Sequence, residues 1–177
     1  MKKLLFSVMA MFLLSAVFAQ TKTYNFPYSG KTVFTIKIPV KTWSVTNEES
    51  YFSFAPVEET DYGRMIGMIW MSEDPNAEDA VTLLVEESFD LVETLLTDIE
   101  WDEETSEFEI NGIDFVAIDG WGYYTNEDGS KDEMMTSIMI FFPDDDNLVT
   151  FVYVGLEMAY TKYKDEFLGI IQSIAPY

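Results

Sequence analysis

The chain has 177 residues, of which 32 are acidic and 10 are basic, and it contains no cysteine and no histidine. A net charge of −22 repels nucleic acid and anionic lipid, because phosphate binding needs clustered Lys and Arg side chains. The missing residue types exclude Cys-His and Ser-His-Asp catalysis and the usual nitrogen and sulfur ligands of zinc, copper and non-haem iron, which leaves oxygen-ligand metals such as calcium.

The N-terminal segment has the pattern of an export signal. Two lysines precede an apolar run from Leu4 to Leu14, and the segment ends on Ala19. The run is too short to cross a bilayer, so we expect residues 1–19 to be cleaved and no membrane span to remain. Residues 20–177 then form one domain with a charge of −24. Since no cysteine can carry lipid, we expect a periplasmic or secreted protein that is not a lipoprotein.

Three strands are predicted in the first part of this domain. Apolar and polar residues alternate from Val33 to Ile38, and Tyr51 to Ala55 shows a similar alternation. Each of these segments is followed by a proline, which ends a strand. Met65 to Met71 is apolar on both faces, which is typical of a central strand covered on both sides.

A long amphipathic helix is predicted from about Asn76 to Ile99. Asp74-Pro75 has the composition of a helix start, with an acidic N-cap before a proline. The spacing assigns to its apolar face Val81, Val85, Phe89, Val92, Leu96 and Ile99. The following segment, 98–109, holds seven acidic residues and no basic one. We interpret it as a solvated loop and the outward face of a strand, with a cation-collecting patch as the alternative.

An antiparallel meander is predicted in the second half. Phe108 and Ile110 alternate with glutamates, and Asn111-Gly112 predicts a type I′ hairpin turn into a strand from Ile113 to Tyr124. The later elements follow in order: turns at 126–129 and 143–147, strands at 133–142 and 148–154, and a helix at about 158–173.

This order predicts an α+β domain with a mainly antiparallel sheet of about six to seven strands flanked by helices. The layout resembles the PsbP-like fold of DcrB-type exported proteins, extrinsic photosystem proteins and the Ran-binding Mog family. The segments that carry the resemblance are FTIKIPVKTW, YFSFAP, FEINGIDFVAIDGWGYY and YKDEFLGIIQSI, which together sample nearly the whole mature chain. The resemblance implies an α-β-α sandwich that acts as a binding or assembly factor.

The resemblance does not transfer a partner or a functional residue. Export to a compartment without nuclear transport excludes Ran, and the photosystem branch uses basic contacts that this acidic chain lacks. The four segments are patterns of fold and contain no catalytic signature.

Two acidic turns are candidate calcium sites. The first offers Asp128 and Asp132, and the second offers Asp144, Asp145 and Asp146. Neither turn has the spacing of a known calcium loop. Since Asp, Asn and Gly also suit hairpin tips, turn geometry alone is the alternative explanation.

Aromatic residues and buried acids on the strand from Ile113 are further candidates. Trp121, Tyr123 and Tyr124 could form a surface for sugar or peptide, although alternation places Trp121 and Tyr123 on one face, where helices can cover them. Asp114 and Asp119 lie inside the same apolar strand, and burial would raise the pKa of either carboxyl. Their spacing points them to opposite faces, which spoils them as an acid-base pair.

No catalytic residue and no cofactor are predicted. The leading hypothesis is an exported, non-catalytic protein-interaction or assembly module, whose partner is another envelope or secreted protein. The alternatives are a small-ligand or calcium-binding module and, third, a carboxylate-based hydrolase.

Overall fold

The computed structural model describes residues 20–27, 30–48, 51–72 and 74–177. The predicted export signal lies outside the described residues. Within the described ranges, no helix is both long enough and apolar enough to cross a membrane.

The described chain forms two sheets and two long helices. The strands are β1 Thr21–Phe26, β2 Phe34–Pro39, β3 Trp43–Asn47, β4 Tyr51–Pro56, β5 Met65–Met71, β6 Thr97–Trp101, β7 Ser106–Ile110, β8 Ile113–Thr125, β9 Lys131–Asp144, β10 Asn147–Leu156 and β11 Ala175–Pro176. The helices are α1 Ala80–Leu95 and α2 Glu157–Gln172, with one short 3-10 turn at Asp61–Gly63.

All strand pairs are antiparallel, which confirms the predicted α+β class. The large sheet has eight strands in the order β3-β4-β5-β10-β9-β8-β6, with β7 also paired to β8, and the small sheet has the order β1-β2-β11. The prediction of a central strand is confirmed, because β5 lies between β4 and β10.

The two helices cover opposite faces of the large sheet. Ser88 of α1 lies 3.0 Å from the hydroxyl of Thr150 on β10. Phe167 of α2 packs on Phe151, the next residue of the same strand, with ring centroids 6.1 Å apart. Successive side chains in a strand point to opposite faces, so the helices lie on opposite sides.

The small sheet shares the α2 side of the large one. Phe34 of β2 packs edge-on against Phe141 of β9, with centroids 5.6 Å apart. Phe141 is paired with Val149, two residues before Phe151, and therefore points to the same face. The result is three layers: α1, the large sheet, and α2 together with the small sheet.

Helix α1 is shorter than predicted. Asp74 accepts a hydrogen bond from the backbone of Asn76, and two successive turns carry the chain to Ala80 before the helix begins. The helix ends at Leu95 because Thr97 already pairs with β8. The buried face runs Ala80, Leu84, Ser88, Val92. The assignment of Val81 to the apolar face was wrong, since 47% of that residue is exposed.

Asn111 and Gly112 form the predicted hairpin turn, with φ of 52° and 81° and Ile110 paired directly with Ile113. The Asn111 amide also donates to the carbonyl oxygens of Gln172, at 3.0 Å, and Ile174, at 2.6 Å. The turn therefore satisfies carbonyls at the C-terminal end of α2 as well as reversing the chain.

Replacement of Asn111 by glycine is expected to keep the turn and lose both hydrogen bonds to the end of α2. Each bond contributes about 0.5–1.5 kcal/mol, so we expect the free energy of unfolding to fall by about 1–3 kcal/mol. Urea denaturation monitored by tryptophan fluorescence measures this change. An unchanged midpoint would mean that water replaces the amide at no cost.

Candidate functional site

A row of polar side chains crosses the α2 face of the large sheet. Asp119 on β8 is paired directly with Ser137 on β9, and Ser137 is paired directly with Tyr153 on β10. Directly paired residues of antiparallel strands point to the same face, so the three side chains lie side by side. Tyr160 of α2 covers the row, with its ring 6.0 Å from that of Tyr153. We call these four residues the polar cluster.

Every member of the polar cluster is buried. The exposed fractions are Asp119 9%, Ser137 2%, Tyr153 2% and Tyr160 4%. Within the described part of the chain, no hydrogen-bond partner is present for Asp119 Oδ1, Ser137 Oγ, Tyr153 Oη or Tyr160 Oη. An unsatisfied buried polar group costs about 1–3 kcal/mol, and stable domains unfold at a cost of only 5–15 kcal/mol. The cluster is therefore a costly feature of this core.

Burial also changes the acidity of the polar cluster. Loss of hydration raises the pKa of Asp119 to about 6, the nearby Ser137 hydroxyl opposes the rise, and the charge of Asp102 adds to it. Burial, with the carboxylates of Asp119 and Asp165, raises the pKa of Tyr160 to about 12. Burial raises the pKa of Tyr153 further still. Near neutral pH, the cluster thus holds one carboxyl close to its titration point and two protonated tyrosines.

Asp114 lies apart from the polar cluster. It is exposed on β8 and is paired with Glu109 of β7, whereas Asp119 points to the buried α2 face. The two carboxyls accordingly do not face each other, as their spacing predicted. Sequence reasoning singled out Asp119 but missed Ser137, Tyr153 and Tyr160. Two of these three could have been found from the sequence, because Ser137 and Tyr153 are polar residues inside otherwise apolar strands.

The three candidate aromatic residues are divided between the two faces of β8. Trp121 and Tyr123 are half-buried, with ring centroids 6.1 Å apart in an edge-on arrangement. The ammonium of Lys131 lies 5.7 Å from the Tyr123 ring. Tyr124 is exposed and lies 5.4 Å from the guanidinium of Arg64. The structure thus brings Trp121 and Tyr123 together and keeps Tyr124 separate.

In the first acidic turn, an arginine contacts one of the two candidate calcium ligands. Asp132 accepts a hydrogen bond from Arg64 at 2.6 Å and from the amide of Asn126 at 2.7 Å. Asp128 instead accepts from the hydroxyl of Ser130 at 2.6 Å. These partners lower the pKa of both carboxyls. The turn is held by internal hydrogen bonds in which Asp128 and Asp132 have different partners.

In the second acidic turn, the carboxylate of Asp144 serves the turn itself. It accepts from the backbone of Asp146 at 3.0 Å and from the side chain of Asn147 at 2.6 Å, while Asp145 and Asp146 are exposed. Asp144 is paired with Asn147, so the turn is tighter than predicted. Across the described ranges, no group of three or more acidic side chains is placed to hold a metal ion.

Because Asp132 is already held by Arg64 and Asn126, and Asp144 by its own turn, millimolar calcium is expected to shift the melting temperature by less than about 1 °C. Differential scanning fluorimetry with magnesium as the control ion measures this shift. A saturable rise with calcium alone, lost in Asp144→Asn or Asp132→Asn, would instead establish a calcium site in the corresponding turn.

The acidic segment forms one edge of the large sheet. Strands β6 and β7 both pair with β8 and with no other strand in the described chain. Their outward side chains and the loop between them carry seven exposed carboxylates: Asp98, Glu100, Asp102, Glu103, Glu104, Glu107 and Glu109. Of these, only Asp98 has a basic partner among the described residues, the ammonium of Lys131 at 2.8 Å. We call these seven residues the acidic edge.

Two open surface hollows among the described residues are further candidate sites. One, of about 600 Å³, lies beside the first turn of α2 and is lined in part by Tyr62, Met158 and Lys162. Lys162 donates to Glu58, and this contact, with that of Tyr163, lowers the pKa of Glu58 to about 2. The other, of about 450 Å³, lies between β1 and β3. Neither hollow was predicted from the sequence.

No family model and no curated protein matches this chain. Solved structures do match it. CyanoP, the PsbP protein of Synechocystis sp. PCC 6803, has a TM-score of 0.56 at 13% identity, over 90% of this chain and 94% of that one. PA94 of Pseudomonas aeruginosa, a protein of unknown function, has a TM-score of 0.52 at 12% identity, over 89% of this chain and 98% of that one.

A third similar structure comes from Bacteroides thetaiotaomicron, with a TM-score of 0.55 at 14% identity. The match covers 89% of this chain but 49% of that one, so the fold there forms part of a longer protein. Likeness at these identities shows the fold. The chain has a PsbP-like fold, as the sequence resemblance indicated.

Proposed function

We propose that this protein is an exported, non-catalytic module that binds another envelope or secreted protein through its acidic edge. The observation that carries the proposal is the separation of charge over the surface. The acidic edge places seven exposed carboxylates beside one another, with one basic partner in the described chain. By contrast, residues 20–48 hold four of the eight basic residues that follow position 19, and a single acid, Glu48.

A concentrated charge of one sign steers the encounter with an oppositely charged protein and fixes its orientation. The acidic edge is also the end of a sheet, and charged side chains on such an edge discourage unwanted strand pairing. Edge protection and solubility are the competing explanation for these carboxylates. The two explanations differ in one observable respect: binding requires a partner whose basic surface contacts this edge, whereas edge protection requires no partner.

Export is supported by the sequence pattern of residues 1–19. Its test is mass spectrometry of the protein from fractionated cells. We expect a mature N-terminus at Gln20 in the periplasmic or secreted fraction. An intact leader on cytoplasmic protein would contradict this part of the proposal.

Site-specific cross-linking tests the partner surface. A photoreactive amino acid replaces Glu104 on the acidic edge in one variant and Glu87 on the exposed face of α1 in the control. Both positions are exposed and acidic, so the two variants lose the same charge. We expect one defined cross-linked product in the native compartment from position 104 and none from position 87. Equal products from both positions, or none from either, would contradict docking at the edge.

A second candidate function, binding of a small polar ligand, is favoured by the polar cluster, because four buried polar atoms lack partners within the described residues. Native mass spectrometry of protein purified from its own compartment tests this candidate. A bound small molecule that is lost in Asp119→Asn would support it. Bare protein in both samples would leave ordered water as the occupant of the cluster.

A further inference from the structure

An open groove of about 450 Å³ runs along strand β1 of the small sheet. Four consecutive β1 residues, Lys22 to Asn25, form one wall. Val45 and Asn47 of β3 line the remainder, and these alternate residues point to the same face of the large sheet as Phe54 and Phe52, with which they are paired. A wall of four successive residues means that the groove follows the edge of the strand rather than one of its faces.

The edge of β1 that faces away from β2 is unpaired. Strand β1 pairs only with β2 in the described chain, and Val40 donates to the carbonyl oxygen of Gln20 at 3.4 Å. Residues of antiparallel strands alternate between pairs that exchange hydrogen bonds and pairs that do not. From this register, the backbone N–H and C=O groups of Thr21, Thr23 and Asn25 point to the free edge.

Strand β3 is the terminal strand of the large sheet, and its outer edge has no pairing strand within the described ranges. Val57 donates to the carbonyl of Thr42 at 2.9 Å, and Glu48 donates to that of Tyr51 at 2.8 Å. The same alternation turns the backbone groups of Val45 and Asn47 away from β4. Two unpaired strand edges therefore line one groove.

Asn47 and Lys22 are the groove side chains that matter for an occupant, and the Lys22 ammonium lies 4.6 Å from the centroid of the Tyr24 ring. Asn47 Oδ1 is buried and has no hydrogen-bond partner among the described residues, so it is an acceptor that needs a donor. Among the described residues, the exposed Lys22 is the one charged side chain that lines the groove, and the sequence segment 20–48 has four lysines against one acid. An occupant that supplies backbone N–H groups and acidic side chains would complement both features.

We propose that the groove binds an extended segment of the partner protein, which adds as a strand to the free edge of β1 and carries an acidic side chain to Lys22. This inference rests on the proposed function, because it states how a segment of that partner is held. Strand addition obtains affinity from main-chain hydrogen bonds and specificity from alternate side chains. The segment bound here is distinct from the basic surface that docks on the acidic edge, because β3 and β6 lie at opposite ends of the large sheet, with five strands between them.

A short fluorescent peptide of alternating glutamate and valine is the probe. We expect it to bind at least about tenfold more tightly, a difference of about 1.4 kcal/mol, than a lysine-valine peptide or a glutamate-valine peptide with alternate N-methylated amides. Lys22→Glu should reverse the charge preference. Lys31→Glu, the same change on an exposed lysine outside the groove lining, should leave it intact.

Amide hydrogen exchange locates the peptide. Binding should protect the N–H groups of Thr21, Thr23 and Asn25, which face the free edge, and leave those of Lys22 and Tyr24 unchanged because β2 already holds them. Thr23→Pro should abolish binding while preserving the β1–β2 pair, since proline is tolerated where an edge N–H faces outward. If that variant does not fold, Asn47→Leu is the substitute test: it removes the Asn47 Oδ1 acceptor and should weaken peptide binding.

Absence of peptide binding, or binding without protection of these three amides, would overturn the inference. So would a dimer of the protein itself in which the same amides are already protected. Cross-linking at the acidic edge reports on the proposed function separately. If the peptide does not bind but position 104 still gives the cross-linked product, only strand addition is rejected. If the peptide binds but position 104 gives no product, docking at the acidic edge is rejected.

Discussion

Replacement of Asp119 by asparagine is expected to stabilise the folded protein by about 2–3 kcal/mol once the pH exceeds the raised pKa of this carboxyl. Burial raises that pKa from 3.8 to about 6, so the folded state binds the proton more tightly than the unfolded state does. The stability that protonation supplies is fully present below 3.8 and is lost as the pH rises through about 6. Asparagine, which never ionises, should not show this loss.

Chemical denaturation across the pH range, in wild type and variant, measures the effect. Asp114→Asn is the matched control, because it removes the same charge from an exposed position on the same strand. Below 3.8 the wild type and Asp119→Asn should be nearly equal in stability. A variant that is less stable than wild type at alkaline pH would mean that a bound cation or donor compensates the Asp119 carboxylate.

Truncation of Phe167 to alanine is expected to cost about 3–5 kcal/mol of unfolding free energy, because the cavity left in a close-packed core collapses only in part. Phe167 is 1% exposed and packs α2 against β3, β4 and β10. Its ring centroid lies 5.0–6.4 Å from those of Tyr153, Phe151, Tyr160, Phe54 and Trp43. Loss of this ring should loosen α2 from the large sheet.

Urea denaturation and near-ultraviolet circular dichroism test the Phe167 prediction. The control Phe142→Ala removes the same side chain from a position that is 51% exposed, where surface substitutions usually change stability by less than about 0.5 kcal/mol. Phe167→Leu should fall between the two. Equal midpoints for Phe167→Ala and Phe142→Ala would show that the described packing of α2 is not what stabilises the domain.

The second half of the fold could be predicted because its signals are local. Asn111-Gly112 favours a two-residue turn, and the residues of β7 and β8 next to it alternate between more exposed and more buried. Four strands were missed: β1, β3, β6 and β11. They are short strands, and β1 and β6 carry mostly exposed side chains, so they lack the apolar period that marks a strand. Their pairing depends on tertiary contacts that the sequence does not display.

The candidate sites, like the strands, include some that local sequence predicts and some that depend on tertiary contacts. The acidic edge was visible as composition, and Asp119 was visible as an acid in an apolar strand. Asp119, Ser137 and Tyr153 lie side by side only because of the register of three strands, and Tyr160 contacts them only because α2 packs on this face. The groove lies between β1 and β3, and neither of these strands was predicted from the sequence.

The affinity of the cross-linked partner for two charge-neutralised proteins tests the central claim most directly. One protein has Glu103, Glu104, Glu107 and Glu109 changed to glutamine, and the other carries neutral amides at Glu86, Glu87, Asp90 and Glu93 on the exposed side of α1. Both lose four charges. We predict that the first change weakens binding at least about tenfold and flattens its salt dependence, while the second leaves both nearly unchanged. Equal weakening by both sets would contradict a binding surface at the acidic edge.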